Sequence, residues 1–398
     1  MYKNNYLDYL LYGAFLDDSR YVWDGRLSIE DYKNLPVTEL SLREIVERLD
    51  EIIRASVKNL SAGAEKVGIL LSGGIDSINI LSYLARFLGS EKIIAYTWAI
   101  RHNSPEAALS RLAAEKYGVK NHRIIIRPED YNYEYEKQLF IQELKKVKLP
   151  LNYRDVVPNI IIKNLVKEDG VGIMFNGMNA DTLFLANSWT KRVYKISRLL
   201  NFFCGHLAWT PLELISQSTS YGAWKYALTD KAYRKRIKQL YREIENLKLT
   251  LQQKIIVMEE LYTETPLRQA SQRKLFEVDG IKMNNPYYDR SLILFALSVT
   301  DGVREMNDFG KYPLYELARL NEVPQEVVGN PKLVRTYGFR NFMNRKLHLP
   351  IWEEMLSNRT LRQCVDIDLA FQKGRDNGLL FDRLRSLHYF IRYVAEEK

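Results

Sequence analysis

Six residues behind a short apolar run have the types and spacing that bind phosphate. Ser72–Ser77 (SGGIDS) follows Val67–Leu71, and helical periodicity resumes behind it. A strand, a glycine turn and a helix together point backbone N–H groups and a helix N-terminus at an anion. Gly73 and Gly74 can adopt positive φ and let a phosphate approach, and the two serines add hydroxyl donors. This stretch therefore predicts an anion site at the end of a strand.

The aspartate inside this stretch needs a cation beside it. Asp76 would repel a phosphate, and a bridging Mg²⁺ removes the conflict because carboxylate and phosphate oxygens are both hard ligands. The alternative is a tight strand–helix turn in which Asp76 only caps the helix. The complete hexapeptide behind a buried strand favours the phosphate and metal site over that turn.

Strand-like and helix-like segments alternate around this loop. Between them the sequence predicts helices, and Ser104 with Pro105 is typical of a helix start. Alternation of this kind predicts a doubly wound parallel sheet with ligands at the strand ends. A second polar loop, 176–181 (NGMNAD), also follows a strand, so both loops should meet in one crevice. The predicted strands are Val67–Leu71, Ile93–Ile100, His122–Ile126 and Val171–Phe175.

The strand pattern stops after Leu185, and the remainder is predicted to be mainly helical. We expect a lead-in segment with an amphipathic helix at 1–60, an α/β core at 61–190, and a helical half at 191–398 that completes the substrate site. The helical segments predicted in that half are Tyr194–Leu207, Ala223–Leu249, Leu251–Gln269, Ser291–Leu297, Leu314–Leu320 and Phe371–Val394.

Composition narrows the class of protein. The chain has 398 residues, no apolar run of membrane-spanning length and no signal-peptide pattern, so we expect a cytoplasmic globular protein without membrane contact. Cys204 and Cys364 are far apart, and the five histidines give no zinc-like spacing. The net charge of +9 suits a polyanionic ligand. Lys231–Lys238 is the candidate RNA surface, but a solvated helix face is the favoured interpretation, so we expect no nucleic-acid partner.

The order of these features resembles the synthetase half of the asparagine synthetases and their relatives. Ser72–Ser77 resembles the SGGxDS loop of the N-type ATP pyrophosphatases, and Asn176–Phe184 (NGMNADTLF) resembles the family's SGxGxDExF. The resemblance covers nearly the whole chain. Weaker matches lie at Leu10–Gly13 with Trp23–Gly25, from Glu106 to His122, at Asn285–Arg290 (RxPFLD in the family), Phe309–Leu314 and Pro324–Lys332.

The resemblance implies an ATP-pyrophosphatase fold, like that of the adenine nucleotide α-hydrolases, and an enzyme that adenylates a carboxylate and releases pyrophosphate. Asp76 and Asp181 would hold Mg²⁺ on the ATP phosphates. Lys332, assisted by Lys311, would stabilise charge on the phosphates in the transition state. The alternatives are a helix N-cap for Asp181 and surface charge for each lysine. The residues implied to contact ATP are Leu71, Ser72, Gly73, Gly74, Asp76, Ser77, Trp98, Asn176 and Gly177.

Four departures from the family pattern bear on the reaction. Met178 stands where asparagine synthetases have a Glu and β-lactam synthetases a Tyr, a position thought to help deprotonate the incoming amine. Asn179 replaces a Gly, and Thr182 replaces a Glu. Tyr2 stands where the glutaminase half would expose its Cys, so we expect that the chain alone does not hydrolyse glutamine. Ammonia would then come from solution or from a separate glutaminase subunit.

Several hypotheses remain open at this stage. The first is asparagine synthetase-like adenylation of aspartate or a similar carboxylate, followed by attack of ammonia. The second is closure of an amide in a peptide or amino-acid derivative, as in lasso-peptide cyclases and β-lactam synthetases. Met178 favours the second, because an α-amino group with a pKa of about 7.7–8.0 needs a base less than ammonium does. A degenerate ATP-binding subunit without catalysis and an RNA-modifying pyrophosphatase are the alternatives of other classes.

Overall fold

The chain folds around one parallel sheet. A computed structural model describes residues 2–12, 27–36, 38–99, 104–126, 132–151, 153–186, 231–262, 269–304, 310–329, 348–369 and 378–396. Within these ranges the sheet has five strands in the order β3-β2-β1-β4-β5, all parallel. The doubly wound α/β fold is confirmed. The strands are β1 Val67–Leu70, β2 Ile93–Ala99, β3 Lys120–Ile125, β4 Ile173–Phe175 and β5 Lys282–Asn284.

The direction of winding reverses between β1 and β4. From β1 the chain adds β2 and then β3 on one side, and it returns to place β4 and β5 on the other side of β1. Val67 of β1 pairs with Ile93 of β2 and with Ile173 of β4, so β1 is central. In open α/β sheets, ligands bind beyond the carboxyl ends of the strands at such a switch point. The two polar loops predicted to form the crevice follow these two strands.

Two helices of this part begin with a serine cap. The Ser41 hydroxyl accepts a hydrogen bond from Glu44 N in a capping box, and the Ser104 hydroxyl accepts one from Ala107 N at 3.3 Å. The predicted helix start at Ser104 and Pro105 is confirmed. The helices are α1 Tyr2–Tyr12, α2 Leu42–Ser61, α3 Ile75–Leu88, α4 Pro105–Tyr117, α5 Tyr133–Val147, α6 Tyr153–Glu168 and α7 Ala180–Leu183.

Two strands start at a different residue from the predicted one, for local reasons. β3 begins at Lys120, two residues before the expected start. Its first residues are polar and partly exposed, so the apolar pattern used to predict strands does not include them. β4 begins at Ile173 instead of Val171. Val171 N donates to Val166 O, across the turn that ends α6 at a left-handed Gly170 (φ 67°), so Val171 belongs to that turn.

The prediction that strands stop after Leu185 is wrong at one place. β5, only three residues long and polar at both ends, adds an edge strand to β4 from the otherwise helical half. The other described elements there are helical, as predicted. They are α8 Lys231–Glu245, α9 Leu251–Tyr262, α10 Ala270–Glu277, α11 Arg290–Ser298, α12 Asp301–Arg304, α13 Tyr312–Leu320, α14 Gln325–Val328, α15 His348–Ser357, α16 Arg359–Cys364 and α17 Gly378–Phe390.

Some expectations fall on other parts of the chain. The predicted helix Tyr194–Leu207, which includes Cys204, lies outside the described residues, and so does Lys332. Cys364 is buried at the end of α16. The basic stretch Lys231–Lys238 lies on helix α8. Among the described helices, none combines the length and the apolar character that crossing a bilayer requires.

The first and last helices pack against each other. The buried Arg383 of α17 donates from Nη1 to Leu10 O of α1 at 3.0 Å. The Tyr9 hydroxyl, also on α1, donates to Leu151 O at 2.9 Å. α1 therefore lies in a core made by distant parts of the sequence.

Candidate functional site

In the loop after β1, only one of the two glycines adopts the positive φ that the sequence suggests. Gly73 has a φ of +69°, and a Cβ there would stand 2.5 Å from Glu106 O at the start of α4. Gly74 instead has a φ of −89° and is the N-cap of α3, so the expectation of positive φ at Gly74 is wrong. Only Gly73 needs the left-handed region that an L side chain rarely adopts.

The two serines of this loop bond to each other. Ser72 N donates to Ser77 Oγ at 3.1 Å, and the two hydroxyl oxygens lie 3.0 Å apart. Ser77 Oγ also donates to Gly74 O at 3.1 Å. The hydroxyls expected to face a ligand are thus used within the loop, where they close the turn, and Ser72 Oγ also accepts a hydrogen bond from Gly74 N at 3.3 Å.

The loop after β4 packs directly on the loop after β1. A Cβ at Gly177 would stand 2.8 Å from Ser77 N and 3.0 Å from the Asp76 Cβ. Asn179 adopts the left-handed conformation (φ 77°) as the N-cap of α7, and its amide donates to Tyr287 O at 3.0 Å. Asn therefore serves at the family's glycine position, as the sequence predicts. Asp181 lies in the first turn of α7 and is not its cap.

Buried amides fix the backbone of this second loop. Asn176 Oδ1 accepts from Met178 N at 3.2 Å and from Asn285 Nδ2 at 2.6 Å. The same Asn285 Nδ2 lies 3.0 Å from Met178 O. Asn176 Nδ2 donates to Gln272 Oε1, and Gln272 Nε2 donates to Asn159 Oδ1. The chain of amides links β4, α10 and α6, and holds the Met178 peptide from both sides.

One lysine joins the two loops. Lys311 Nζ lies 2.5 Å from Asp76 Oδ2 and 2.5 Å from Asp181 Oδ1. Its side chain is 5% exposed, while Asp76 and Asp181 are 16% and 36% exposed. Burial alone would lower the pKa of the Lys311 ammonium, but the charges of Asp181 and Asp76 outweigh it and raise that pKa above its ordinary value. The ammonium therefore stays charged between two carboxylates.

The two carboxylates fit a divalent cation. Asp76 and Asp181 lie in the first turns of α3 and α7, and an oxygen of each already contacts one positive centre. Magnesium in proteins is held by one or two carboxylates together with waters and substrate phosphates. Within the described ranges no group of three or more His, Cys, Asp or Glu side chains could hold a metal ion. A magnesium ion here would thus need phosphate oxygens to complete its shell.

The remaining predicted ATP contacts lie around the same strand ends. Leu71 N donates to Tyr96 O at 2.9 Å, and the Thr97 hydroxyl donates to Leu71 O at 2.8 Å. Trp98 is half-buried on the neighbouring β2, and Met178 is half-buried beside the amides. Of the two lysines predicted to act in catalysis, Lys311 lies beside the two carboxylates, and Lys332 lies outside the described residues.

Sequence reasoning missed two side chains of this site. Tyr287 donates from its hydroxyl to Asp76 O at 3.3 Å, and burial followed by the charge of Asp76 raises the pKa of that hydroxyl well above its usual value. Asn285 holds the second loop. Both residues lie in the segment that resembles the family's RxPFLD. The polar Asn285 in front of Pro286 and Tyr287 is the sequence feature that could have predicted their role.

A doubly wound parallel sheet with a glycine loop and paired carboxylates at its switch point defines the α/β class to which the ATP pyrophosphatases belong. The family model for asparagine synthase matches residues 48–375, which is most of the chain. This chain belongs to the asparagine synthase family.

Two relatives of this chain are named as asparagine synthetases. Over 185 residues the chain is 28% identical to asparagine synthetase (glutamine-hydrolyzing) 1 of Methanocaldococcus jannaschii, covering 46% of this chain and 32% of that protein. Over 87 residues it is 28% identical to the asparagine synthetase (glutamine-hydrolyzing) of Acanthamoeba polyphaga mimivirus, covering 22% and 16%. The matched part spans about a third or less of each relative's length.

Two solved structures show low-scoring similarity. The NH3-dependent NAD synthetase of Campylobacter jejuni matches with 15% identity and a TM-score of 0.27, over 56% of this chain and 93% of that one. The U34-tRNA thiolase NcsA of Methanococcus maripaludis matches with 12% identity and a TM-score of 0.27, over 63% and 90%.

Proposed function

We propose that this protein is an ATP-dependent amide-forming ligase. It adenylates a carboxylate with release of pyrophosphate, and ammonia or an amine then displaces AMP to give an amide. The observation that supports this most directly is the contact of Lys311 with both Asp76 and Asp181 beside the glycine loop. Family membership supports the same reaction class.

The side chains have distinct roles in this proposal. Asp76 and Asp181 would hold Mg²⁺, which would supply charge neutralisation on the polyphosphate and so make pyrophosphate a better leaving group. The backbone of Ser72–Ser77 and the N-terminus of α3 bind the phosphates. Lys311 and Lys332 stabilise charge on the phosphates as the bond to the α-phosphorus breaks. Leu71, Trp98, Asn176 and Gly177 line the nucleotide.

The first proposed substrates are aspartate, or a similar small carboxylate, and ammonia. Ammonia comes from solution or from a separate glutaminase subunit, and the reaction takes place in the cytoplasm, where ATP is supplied. The second candidate is closure of an amide in a peptide or amino-acid derivative. Met178 favours the second candidate, because a thioether accepts no proton from an ammonium ion and the backbone around it is held by neutral amides.

Product analysis tests the proposal. The protein is incubated with Mg²⁺ and ATP, with aspartate plus ammonium and without acceptor, and AMP, ADP and pyrophosphate are measured. Asparagine formed with an equal amount of AMP supports the first candidate. AMP that appears only with an added peptide or amino-acid derivative supports the second.

Two variants link the products to this site. Asp76→Asn keeps the shape of the side chain and removes its charge, so it should abolish AMP formation. Lys33→Gln removes a lysine that pairs with Glu30 on the surface, and it should leave the rate unchanged. ADP in place of AMP would contradict cleavage between the α and β phosphates. ATP binding without turnover across carboxylates and amines would indicate a subunit that binds ATP without catalysis.

A further inference from the structure

The position that a metal ion would take between the two carboxylates is already taken by a positive charge. Lys311 Nζ contacts Asp76 Oδ2 and Asp181 Oδ1 at the same distance, 2.5 Å. An ammonium and a divalent cation cannot occupy one position between two oxygens. A metal ion that binds these same two oxygens must therefore displace the ammonium.

The local structure does not favour a lysine at this position. Lys311 adopts a left-handed backbone (φ 59°) and is the N-cap of α13. A helix N-terminus carries partial positive charge, which repels an ammonium, and a non-glycine residue in the left-handed region is strained. Asp76 and Asp181 lie in first turns, where negative charge is favoured. Backbone strain held in place by its surroundings is a reason to look for a function.

The backbone of Lys311 is fixed to the segment that follows α7. Lys311 N donates to Phe184 O at 3.1 Å, and a Cβ at the preceding Gly310 would stand 2.8 Å from Leu185 O. The end of the side chain is four rotatable bonds away from this anchor. A change of partner by the ammonium therefore needs only side-chain rotation.

We propose that Lys311 is a positioning residue that holds the two carboxylates together before the nucleotide arrives and yields its place to Mg²⁺ when the nucleotide binds. The phosphates bring negative charge that accepts the displaced ammonium, so the metal and the nucleotide each favour binding of the other. The inference rests on the proposed function in one respect, since it takes Mg²⁺ and ATP to be the ligands of this site.

Metal binding measured without turnover tests this inference. Mn²⁺ binding to the protein is followed by electron paramagnetic resonance of free Mn²⁺, without nucleotide, in the wild type and in Lys311→Met. Because the variant lacks the competing ammonium, its Kd for Mn²⁺ should fall by roughly 5-fold to 150-fold, the usual size of coupling between two ligands. A Kd for Mn²⁺ that is unchanged or higher in the folded variant would overturn the proposal.

A second variant and a second ligand sharpen the result. In the double variant Asp76→Asn with Lys311→Met the gained Mn²⁺ affinity should disappear, and its persistence would place the gained site elsewhere and overturn the proposal. The α,β-methylene analogue of ATP, with Mg²⁺ at a saturating concentration, should bind Lys311→Met more weakly than the wild type, because its phosphates lose the displaced ammonium. Equal affinity for the analogue would contradict the transfer of Lys311 to the phosphates.

Folding and function are kept separate in this design. Lys311→Gln, whose amide is uncharged and one bond shorter than the lysine, replaces the Met variant if that variant does not fold, and a fall in Kd for Mn²⁺ is expected again. Tighter Mn²⁺ binding together with no AMP from any substrate would leave this inference standing and refute the proposed function. AMP formation together with an unchanged Mn²⁺ affinity in the variant would refute this inference and leave the proposed function standing.

Discussion

Gly177 lies so close to Asp76 that a Cβ at residue 177 would stand 3.0 Å from the Asp76 Cβ. The loop after β4 and the loop after β1 are therefore in contact at a place where one of them must lack a side chain. This contact sets how far Asp181 lies from Asp76. The spacing of the two carboxylates thus depends on a glycine that carries no chemistry itself.

Replacing this glycine should damage activity more than stability. In Gly177→Ala the new methyl pushes the loops apart, and a displacement of about 1 Å can cost about 100-fold in rate. Overpacking should lower the free energy of unfolding by about 1–3 kcal/mol. AMP formation and urea unfolding measure the two effects. Gly172→Ala, with nothing within 4 Å of the added Cβ, is the matched control and should keep full activity.

Gly73 and Gly63 allow backbone strain to be separated from a clash. Both have a positive φ, +69° and +73°, but a Cβ at Gly73 meets Glu106 O at 2.5 Å while one at Gly63 meets nothing within 4 Å. Gly63→Ala should therefore lose about 1 kcal/mol of unfolding free energy and keep its activity. Gly73→Ala should lose more stability and also AMP formation. Equal losses of stability in the two variants would show that the contact with Glu106 O is unimportant.

The buried side-chain amide of Asn285 should affect activity, whereas that of the neighbouring Asn284 should affect stability only. Asn285→Ala leaves Asn176 Oδ1 and Met178 O without one donor, at a cost of about 1–3 kcal/mol, and frees the loop that carries Asp181. Asn284→Ala removes a comparable bond, from Nδ2 to Leu60 O at 3.0 Å, on the side of α2. Similar thermal destabilisation is expected in both variants, with a fall in kcat/KM for Asn285→Ala alone. A fall in kcat/KM of the same size in both variants would mean that Asn285 acts only through stability.

His388 should make the protein sensitive to mild acid. Burial lowers the pKa of its imidazole from 6.5 to about 4, although Glu354 opposes this. The unfolded imidazole takes up a proton below its ordinary pKa while the folded one does not, so stability falls as the pH drops from 6.5 towards 4. Between pH 7 and pH 5 the loss from this residue should reach about 2 kcal/mol.

Urea unfolding at pH 7, 6 and 5 measures this loss, and in His388→Gln the pH dependence should be smaller by that amount. Glu354 does not interfere in this window. Burial opposes the lowering of its pKa, but Lys137 and Arg392, which stay charged in this window, outweigh burial and keep the pKa below its usual range, so the folded carboxylate is ionised above pH 5. An unchanged pH dependence in the variant would mean that His388 is protonated in the folded protein.

The sequence predicts the switch-point loops well because their information is local. A left-handed glycine at 73 and an aspartate near the start of a helix follow from a few neighbouring residues. β3 and β5 were harder, because an edge strand needs only one apolar face and β5 is three residues long. The contact of Lys311 with Asp76 joins residues far apart in the chain, and no local pattern encodes such a pair. The resemblance selected Lys311 as a phosphate ligand, and the carboxylate contact was not anticipated.

The bond from Arg383 to Leu10 spans 373 residues of sequence. During synthesis at about 5–20 residues per second, helix α1 leaves the ribosome roughly 20–75 s before the helix that covers it. Throughout that interval the face of α1 that packs against α17 lacks its final partner, and it is exposed to chaperones and proteases. The sheet can assemble from β1 to β4 as the chain emerges, whereas the first helix is among the last elements to reach its place.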